Sequence, residues 1–230
     1  MTNPADTLTA DDLLYSLDTT APVDYEPPAP IDYARAGLTD LADHFKTDKG
    51  SLKHGYTAIY EAYLQAFRNR PGMRLMEIGV ACGSSLKMWA RYFREAQILG
   101  VDIRPECAGL CKLYPNIRIE IGNAAQRNFG TGWDAIIDDG SHISADIVDT
   151  FVHNWPTLNP GGLYFIEDLK CTHNPEYPKL LPFEVPPHRF ERGHFMVLIN
   201  KLLMKMDWGR TDVEYVHFYR EMAVLRKKPA

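Results

Sequence analysis

Apolar residues along this chain fall into two rhythms. Short runs at Arg74–Val80, Gln97–Ile103, Trp133–Asp138 and Gly162–Glu167 are dense in branched and aromatic side chains and read as strands. Ile117–Gly122 adds an extended segment. Between them, Ser85–Glu95 and Ala145–Leu158 space their apolar residues as helices do, and Pro105–Tyr114 also reads as helical. Upstream, residues 38–46 and 56–69 are predicted helices; the second places Tyr56, Ile59, Tyr60, Tyr63, Leu64 and Phe67 on one stripe. Residues 189–206 form an amphipathic helix, and Val213–Tyr219 with Met222–Lys227 read as two strands joined by a tight turn. Strand–helix alternation implies a parallel sheet covered on both faces, joined by right-handed crossovers. The expected class is therefore α/β: a doubly wound, seven-stranded, mostly parallel sheet closed by a C-terminal antiparallel hairpin.

The first 37 residues stand apart from this pattern. Asp6, Asp11, Asp12, Asp18, Asp24, Glu26 and Asp32 face a single basic residue, Arg35, and Pro27, Pro28 and Pro30 interrupt the backbone. Thr9 can cap a short helix through Leu13, Leu14 and Leu17. Those leucines leave two readings open, a loosely attached tail and an arm that acts as a lid or a subunit contact. We divide the chain into this acidic, proline-rich arm (1–37) and one catalytic-size domain (38–230).

Composition narrows the function classes. Apolar residues make up 45% and charged residues 24%, as in ordinary globular proteins. A formal charge of −5 argues against a general nucleic-acid binder, which needs a basic surface to neutralise phosphates. No run approaches the roughly 18 apolar residues of a membrane span. The N-terminus lacks a basic segment followed by an apolar core, so a cytoplasmic location is expected. Cys82, Cys107, Cys111 and Cys171 lack zinc-site spacing and read as free thiols.

Chemistry-bearing residues gather where strands end. Asp138-Asp139-Gly140-Ser141-His142 follows one predicted strand, and Glu167-Asp168 ends another. Carboxylates at the ends of neighbouring parallel strands, about 4.8 Å apart, can share one hard divalent cation. Oxygen ligands without a nearby cysteine favour Mg²⁺, or Mn²⁺ or Ca²⁺, over zinc. Successive strand residues point to opposite faces, which selects Asp139 over Asp138 as ligand. His142 can serve as a base beside the ion; it can also simply cap the following helix.

A third feature precedes these. Glu77-Ile78-Gly79-Val80-Ala81-Cys82-Gly83-Ser84-Ser85 joins the first strand to a helix, where glycines permit a sharp turn and close approach of a ligand. The Gly79-x-x-x-Gly83 spacing lacks the pyrophosphate fingerprint of dinucleotide sites. Asp102 ends the next strand, where a carboxylate can receive ribose hydroxyls, and Asn123 ends the third, where it can meet an adenine edge. Together they suggest a crevice for an adenosine without phosphates.

Glu77–Leu86, Asp102, Asp138–His142, Gly161–Asp168 and the loop Thr47-Asp48-Lys49-Gly50 with His54-Gly55-Tyr56 resemble class I S-adenosylmethionine-dependent methyltransferases, which have a Rossmann-like fold. More narrowly, they resemble the metal-dependent sugar O-methyltransferases of antibiotic pathways, the mycinamicin and tetracenomycin rhamnose type. The resemblance covers about residues 40–170 and implies S-adenosylmethionine and Mg²⁺ as cofactors. It implies Glu77, Gly79, Gly83, Ser84, Asp102, Asn123, Asp138 and Tyr56 as cofactor contacts. Asp139, Glu167 and Asp168 match the metal carboxylates, and His142, assisted by Asp139, the catalytic base. The Thr47–Tyr56 loop would cover the methionine end of the cofactor or the acceptor.

The expected function is O-methylation of a hydroxyl on a sugar or another diol-bearing natural product. The expected partners are a glycosylated small-molecule acceptor and further copies of the chain, with neither nucleic acid nor membrane. Three alternatives compete: a metal-independent methyltransferase using the same carboxylates for hydrogen bonds, a nicotinamide-dependent oxidoreductase, and a non-catalytic relative. The proline- and aromatic-rich stretch Cys171–Arg192 reads as a cover over the acceptor.

Overall fold

This computed structural model describes residues 24–25, 31–181 and 183–230. Seven strands form one sheet in the order β3-β2-β1-β4-β5-β7-β6. They are β1 (Arg74–Ile78), β2 (Gln97–Asp102), β3 (Ile117–Ile121), β4 (Trp133–Asp138), β5 (Leu158–Ile166), β6 (Val213–Tyr219) and β7 (Met222–Lys227). The first five are parallel; β7 pairs antiparallel to both β5 and β6. The doubly wound sheet with its closing hairpin is as the sequence predicts.

Side-chain alternation explains why one sheet feeds two cores. Leu75, Ala135, Ile137, Leu163, Phe165 and Val224 point to one face. Met76, Ile78, Ile136, Tyr164, Ile166 and Leu225, their immediate neighbours in the chain, point to the other. A strand has period two, so a buried strand must be apolar at every position to satisfy both layers. β4 is buried along its whole length and reads accordingly.

Helices α1 (Leu38–His44), α2 (Thr57–Leu64) and α3 (Ser84–Tyr92) cover the first face. Helix α4 (Ser144–Asn154), the short α5 (Tyr177–Leu180) and α6 (Pro187–Phe190), and α7 (Gly193–Asp207) follow in the chain. α4 and α7 cover the second face through Ile147, Phe151, Phe195, Ile199 and Leu202.

Several boundaries differ from expectation. Pro105–Tyr114 is not a helix: a 3-10 turn covers Pro105–Gly109, and Cys111 takes a left-handed φ of 58°, which no helix continues through. The Ala145–Leu158 helix stops at Asn154, whose side-chain amide donates to the carbonyls of Thr150 (2.9 Å) and Ala124 (3.1 Å). Pro156 then sits in a 3-10 turn. The predicted helix 189–206 divides into α6 and α7, and Cys171–Arg192 contains a 3-10 turn and two short helices where one long loop was expected. The capped helix expected around Thr9–Leu17 lies outside the described residues. Asp24 and Tyr25 are described, and both engage the fully buried Lys87 of α3. The backbone N–H of Cys111 also donates to Asp24 at 3.1 Å.

Candidate functional site

β1 and β4 are neighbours although β2 and β3 lie between them in sequence. This is the switch point, where connections leave in opposite directions and open a crevice at the carboxyl ends of the strands. The residues singled out above lie around it.

The glycine loop leaves β1 here. Gly79 and Gly83 have φ of 95° and 78°, conformations that side chains disfavour. At Gly79 a Cβ would also fall 1.9 Å from the carbonyl oxygen of Asp139, and at Gly83 2.7 Å from Cys111 Sγ. Glycine is thus required partly because the acidic segment after β4 packs on the loop. Asp102 accepts from the N–H of Val80 (2.9 Å), Ala81 (3.3 Å) and Arg104 (2.9 Å), so its carboxylate holds the loop in shape. Despite its burial, these donors hold its pKa below the usual range. Asn123 accepts from Ala125 N–H in a local turn, and Ser84 Oγ lies 3.3 Å from Cys82 Sγ. Glu77 is fully buried and accepts from Ser85, but its Oε1 has no hydrogen-bond partner among the described residues. Burial pushes its pKa up to about 7. This Oε1, free of hydrogen bonds and 3.5 Å from the Lys49 ammonium, can take a second cationic donor, which suits the ammonium group at the methionine end of S-adenosylmethionine.

The acidic residues converge beside this loop. Asp139, His142 and Asp168 bring ligand atoms within 4.8 Å of one another. His142 Nε2 lies 3.7 Å from Asp139 and 3.6 Å from Asp168. Both His142 and Asp168 sit at positive φ, 54° and 52°. Non-glycine residues hold that conformation at a cost, and such strain concentrates at functional sites. Burial lowers the His142 pKa, so the ring is neutral at pH 7 and able to accept a proton. For Asp168, burial is outweighed by His142, His54 and the 2.7 Å hydrogen bond from Tyr56, and its pKa is lowered. Burial, only partly offset by Lys49, raises Asp139 to about 7. Carboxylate oxygens beside a neutral imidazole are a donor set that fits Mg²⁺ or Mn²⁺.

Four further placements complete the site. Asp138 faces away from this cluster: its Oδ2 lies 3.5 Å from the Tyr164 hydroxyl, and burial raises its pKa to about 8. Tyr56, expected at the cofactor, spends its hydroxyl on Asp168. Glu167 stands next to the triad with its oxygens engaged by Tyr60 and Lys49. Lys49 itself is the residue that sequence reasoning left without a role. Its ammonium is 1% exposed, contacts Asp139, and lies 2.9 Å from Glu167 and 3.5 Å from Glu77. The only sequence signal was its place in the Thr47–Gly50 loop, 90 residues from Asp139.

The stretch after Asp168 covers the triad. Tyr177, 1% exposed, donates to the Ser141 carbonyl at 3.0 Å, with its ring 6.1 Å from that of His142. Arg189 ties α6 to α4 through Asp146 (2.6 Å) and Asp149 (2.8 Å).

This sheet order, glycine loop and strand-end acidic cluster define a class I methyltransferase fold, and comparisons with known proteins agree. No family model matches the chain. A tetracenomycin-C rhamnosyl 2'-O-methyltransferase of Streptomyces olivaceus is 39% identical over 152 residues, covering 61% of this chain and 40% of that protein. The 3'-O-methyltransferase of the same organism is 33% identical over 219 residues, covering 83% of this chain and 53% of that protein. A mycinamicin VI 2''-O-methyltransferase of Micromonospora griseorubida is 32% identical over 157 residues, 61% of this chain and 38% of that protein. MycE methyltransferase, solved with Mg and S-adenosylhomocysteine, superposes with TM-score 0.69 at 28% identity over 84% of this chain and 55% of its own. The chain is a homologue of the sugar O-methyltransferases of antibiotic biosynthesis. It spans about half the length of the curated relatives it matches, or less. No described helix is long and apolar enough to cross a membrane.

Proposed function

We propose that this chain is an S-adenosylmethionine-dependent, Mg²⁺-dependent O-methyltransferase acting on a hydroxyl of a sugar or another diol-bearing natural product. The observation that carries the reading is the buried His142 held within 4 Å of both Asp139 and Asp168, beside a glycine loop at the switch point. Glu77, Gly79, Gly83, Ser84, Asp102 and Asn123 would contact the cofactor, and Asp138, turned to Tyr164, would support the strand end behind them. Asp139 and Asp168, with Glu167 beside them, would hold the ion. When bound, the ion lowers the pKa of a coordinated hydroxyl and fixes its orientation. His142 takes the hydroxyl proton at its ring nitrogen as the oxygen attacks the sulfonium methyl; one C–O bond forms, one C–S bond breaks, and S-adenosylhomocysteine leaves. Strained backbone at His142 and Asp168 keeps these groups in one arrangement, which favours an in-line displacement. Tyr177 and the segment around it exclude water.

The relatives, O-methyltransferases of glycosylated natural products, support a sugar acceptor. We extend the proposal to assembly into a homo-oligomer and a cytoplasmic location. The test is thermal shift with S-adenosylhomocysteine and with NAD, followed by methyl transfer to rhamnosylated acceptors with Mg²⁺ or EDTA. Stabilisation by S-adenosylhomocysteine alone and loss of turnover in EDTA are expected. Full turnover in EDTA would remove the ion from the mechanism, and stabilisation by NAD would remove the methyltransferase.

A further inference from the structure

The ion proposed above shares its surroundings with a cation that belongs to the protein. Glu77 on β1, Asp139 after β4 and Glu167 after β5 all direct a carboxylate at Lys49. The lysine is almost fully enclosed, and the backbone carbonyl of Lys49 is fastened to the start of α2 by the Thr57 N–H at 3.2 Å. Tyr60, on α2, donates to Glu167. One ammonium thus serves three carboxylates at the ends of three adjacent strands, with Glu77 and Glu167 buried and Asp139 partly so. Buried carboxylates crowded together repel unless a cation stands among them.

We infer that Lys49 is a positioning residue, a resident counter-ion that assembles the acidic cluster before any divalent ion arrives and then competes with that ion for Asp139 and Glu167. The inference rests on the reading of these carboxylates as the ion site. Two consequences follow from its charge. Without Lys49 the three carboxylates repel one another uncompensated, and the unliganded protein loses stability. With the ammonium gone, a divalent ion meets one more uncompensated negative charge and binds more tightly. Like charges a few ångströms apart interact strongly even at an effective dielectric near 20, so at least a tenfold gain in affinity, roughly, is expected. Binding by the lysine variant would also restore stability, because a ligand that binds only the folded state shifts unfolding by mass action.

The experiment is Mn²⁺ titration of the full chain, followed by electron paramagnetic resonance of free Mn²⁺, with melting curves in parallel. Lys49→Met is compared with wild type and with Lys49→Arg, which keeps the charge. Lys49→Met should melt lower without metal, recover with Mn²⁺, and bind Mn²⁺ about tenfold more tightly or better. Lys49→Arg should stay near wild-type affinity. If Lys49→Met does not fold, Lys49→Met/Glu77→Gln is measured against Glu77→Gln alone, and the same gain is expected. A folded lysine variant whose Mn²⁺ affinity is unchanged or weaker overturns this inference while leaving the ion site standing. Wild-type protein that binds no Mn²⁺ overturns the ion site and the inference with it.

Discussion

Asp168 stands between two clusters that look alike by distance and differ in charge. On one side are Asp139, His142, Glu167 and Lys49; on the other are His54, Tyr56, Lys170 and Glu221 from the turn of the β6–β7 hairpin. His54, Asp168 and Glu221 also lie within 4.8 Å of one another, as metal ligands would. The second cluster, however, is already balanced. Glu221 receives Lys170 at 2.9 Å and His54 at 3.6 Å, and its pKa falls to about 2, mainly through His54. In the first cluster Glu77 and Asp139 rise to about 7, because burial and mutual repulsion outweigh one lysine. Two cationic side chains, Lys170 and His54, face the single Glu221 carboxylate in the second cluster, whereas in the first one lysine faces Glu77, Asp139 and Glu167. Proximity alone would nominate both clusters, whereas charge balance nominates the first.

The largest expected effect tests the first side. His142→Ala should lower methyl transfer by roughly two to four orders of magnitude, read as kcat at saturating Mg²⁺. A loss below about tenfold would return His142 to a capping role and erase the functional contrast. Asp139→Asn should weaken Mn²⁺ binding by at least about tenfold in the same titration used for Lys49, since a charged oxygen ligand is lost. Glu221→Gln should alter Mn²⁺ affinity by less than about threefold, because Lys170 and His54 do not depend on an ion for their partners.

That same variant carries a pH signature. The folded pKa of Glu221 is below its unfolded value near 4.3, so the folded state binds fewer protons across that interval. Its contribution to stability is present above that value and is lost as pH falls toward about 2. Melting curves of Glu221→Gln and wild type should therefore differ most near neutrality and converge between about pH 4.3 and 2. The smallest effect belongs to the cover. Tyr177→Phe removes the hydrogen bond to Ser141 and should cost about 1 kcal/mol in urea unfolding, with the exposed carbonyl regaining water.

Legibility in the sequence followed the range of the interaction. Strand-end carboxylates are visible because a strand and the residue after it are contiguous: Trp133–Asp138 led to Asp139, and Gly162–Ile166 to Glu167 and Asp168. Strand alternation sufficed to set Asp138 apart, and the fold places it against Tyr164. Helix ends were read less well. Pro105–Tyr114 has helix-like spacing, but its backbone turns at Cys111 to pack under Gly83 and to meet Asp24, which no local window contains. Lys49 was seen only as part of a polar loop. An exposed lysine and a lysine buried among carboxylates have the same neighbours in sequence.

The sequence by itself determined the sheet and its two cores, because side-chain period and turn residues act over a few positions. It also determined which strand ends carry acid and where the glycines fall. Only the tertiary structure decided which charges meet. Lys49, Glu77, Asp139 and Glu167 come from a loop and three strand ends up to 118 residues apart, and their burial and mutual fields arise when the strands are side by side. Coulomb forces depend on distance and dielectric in three dimensions, and neither is written in the order of residues.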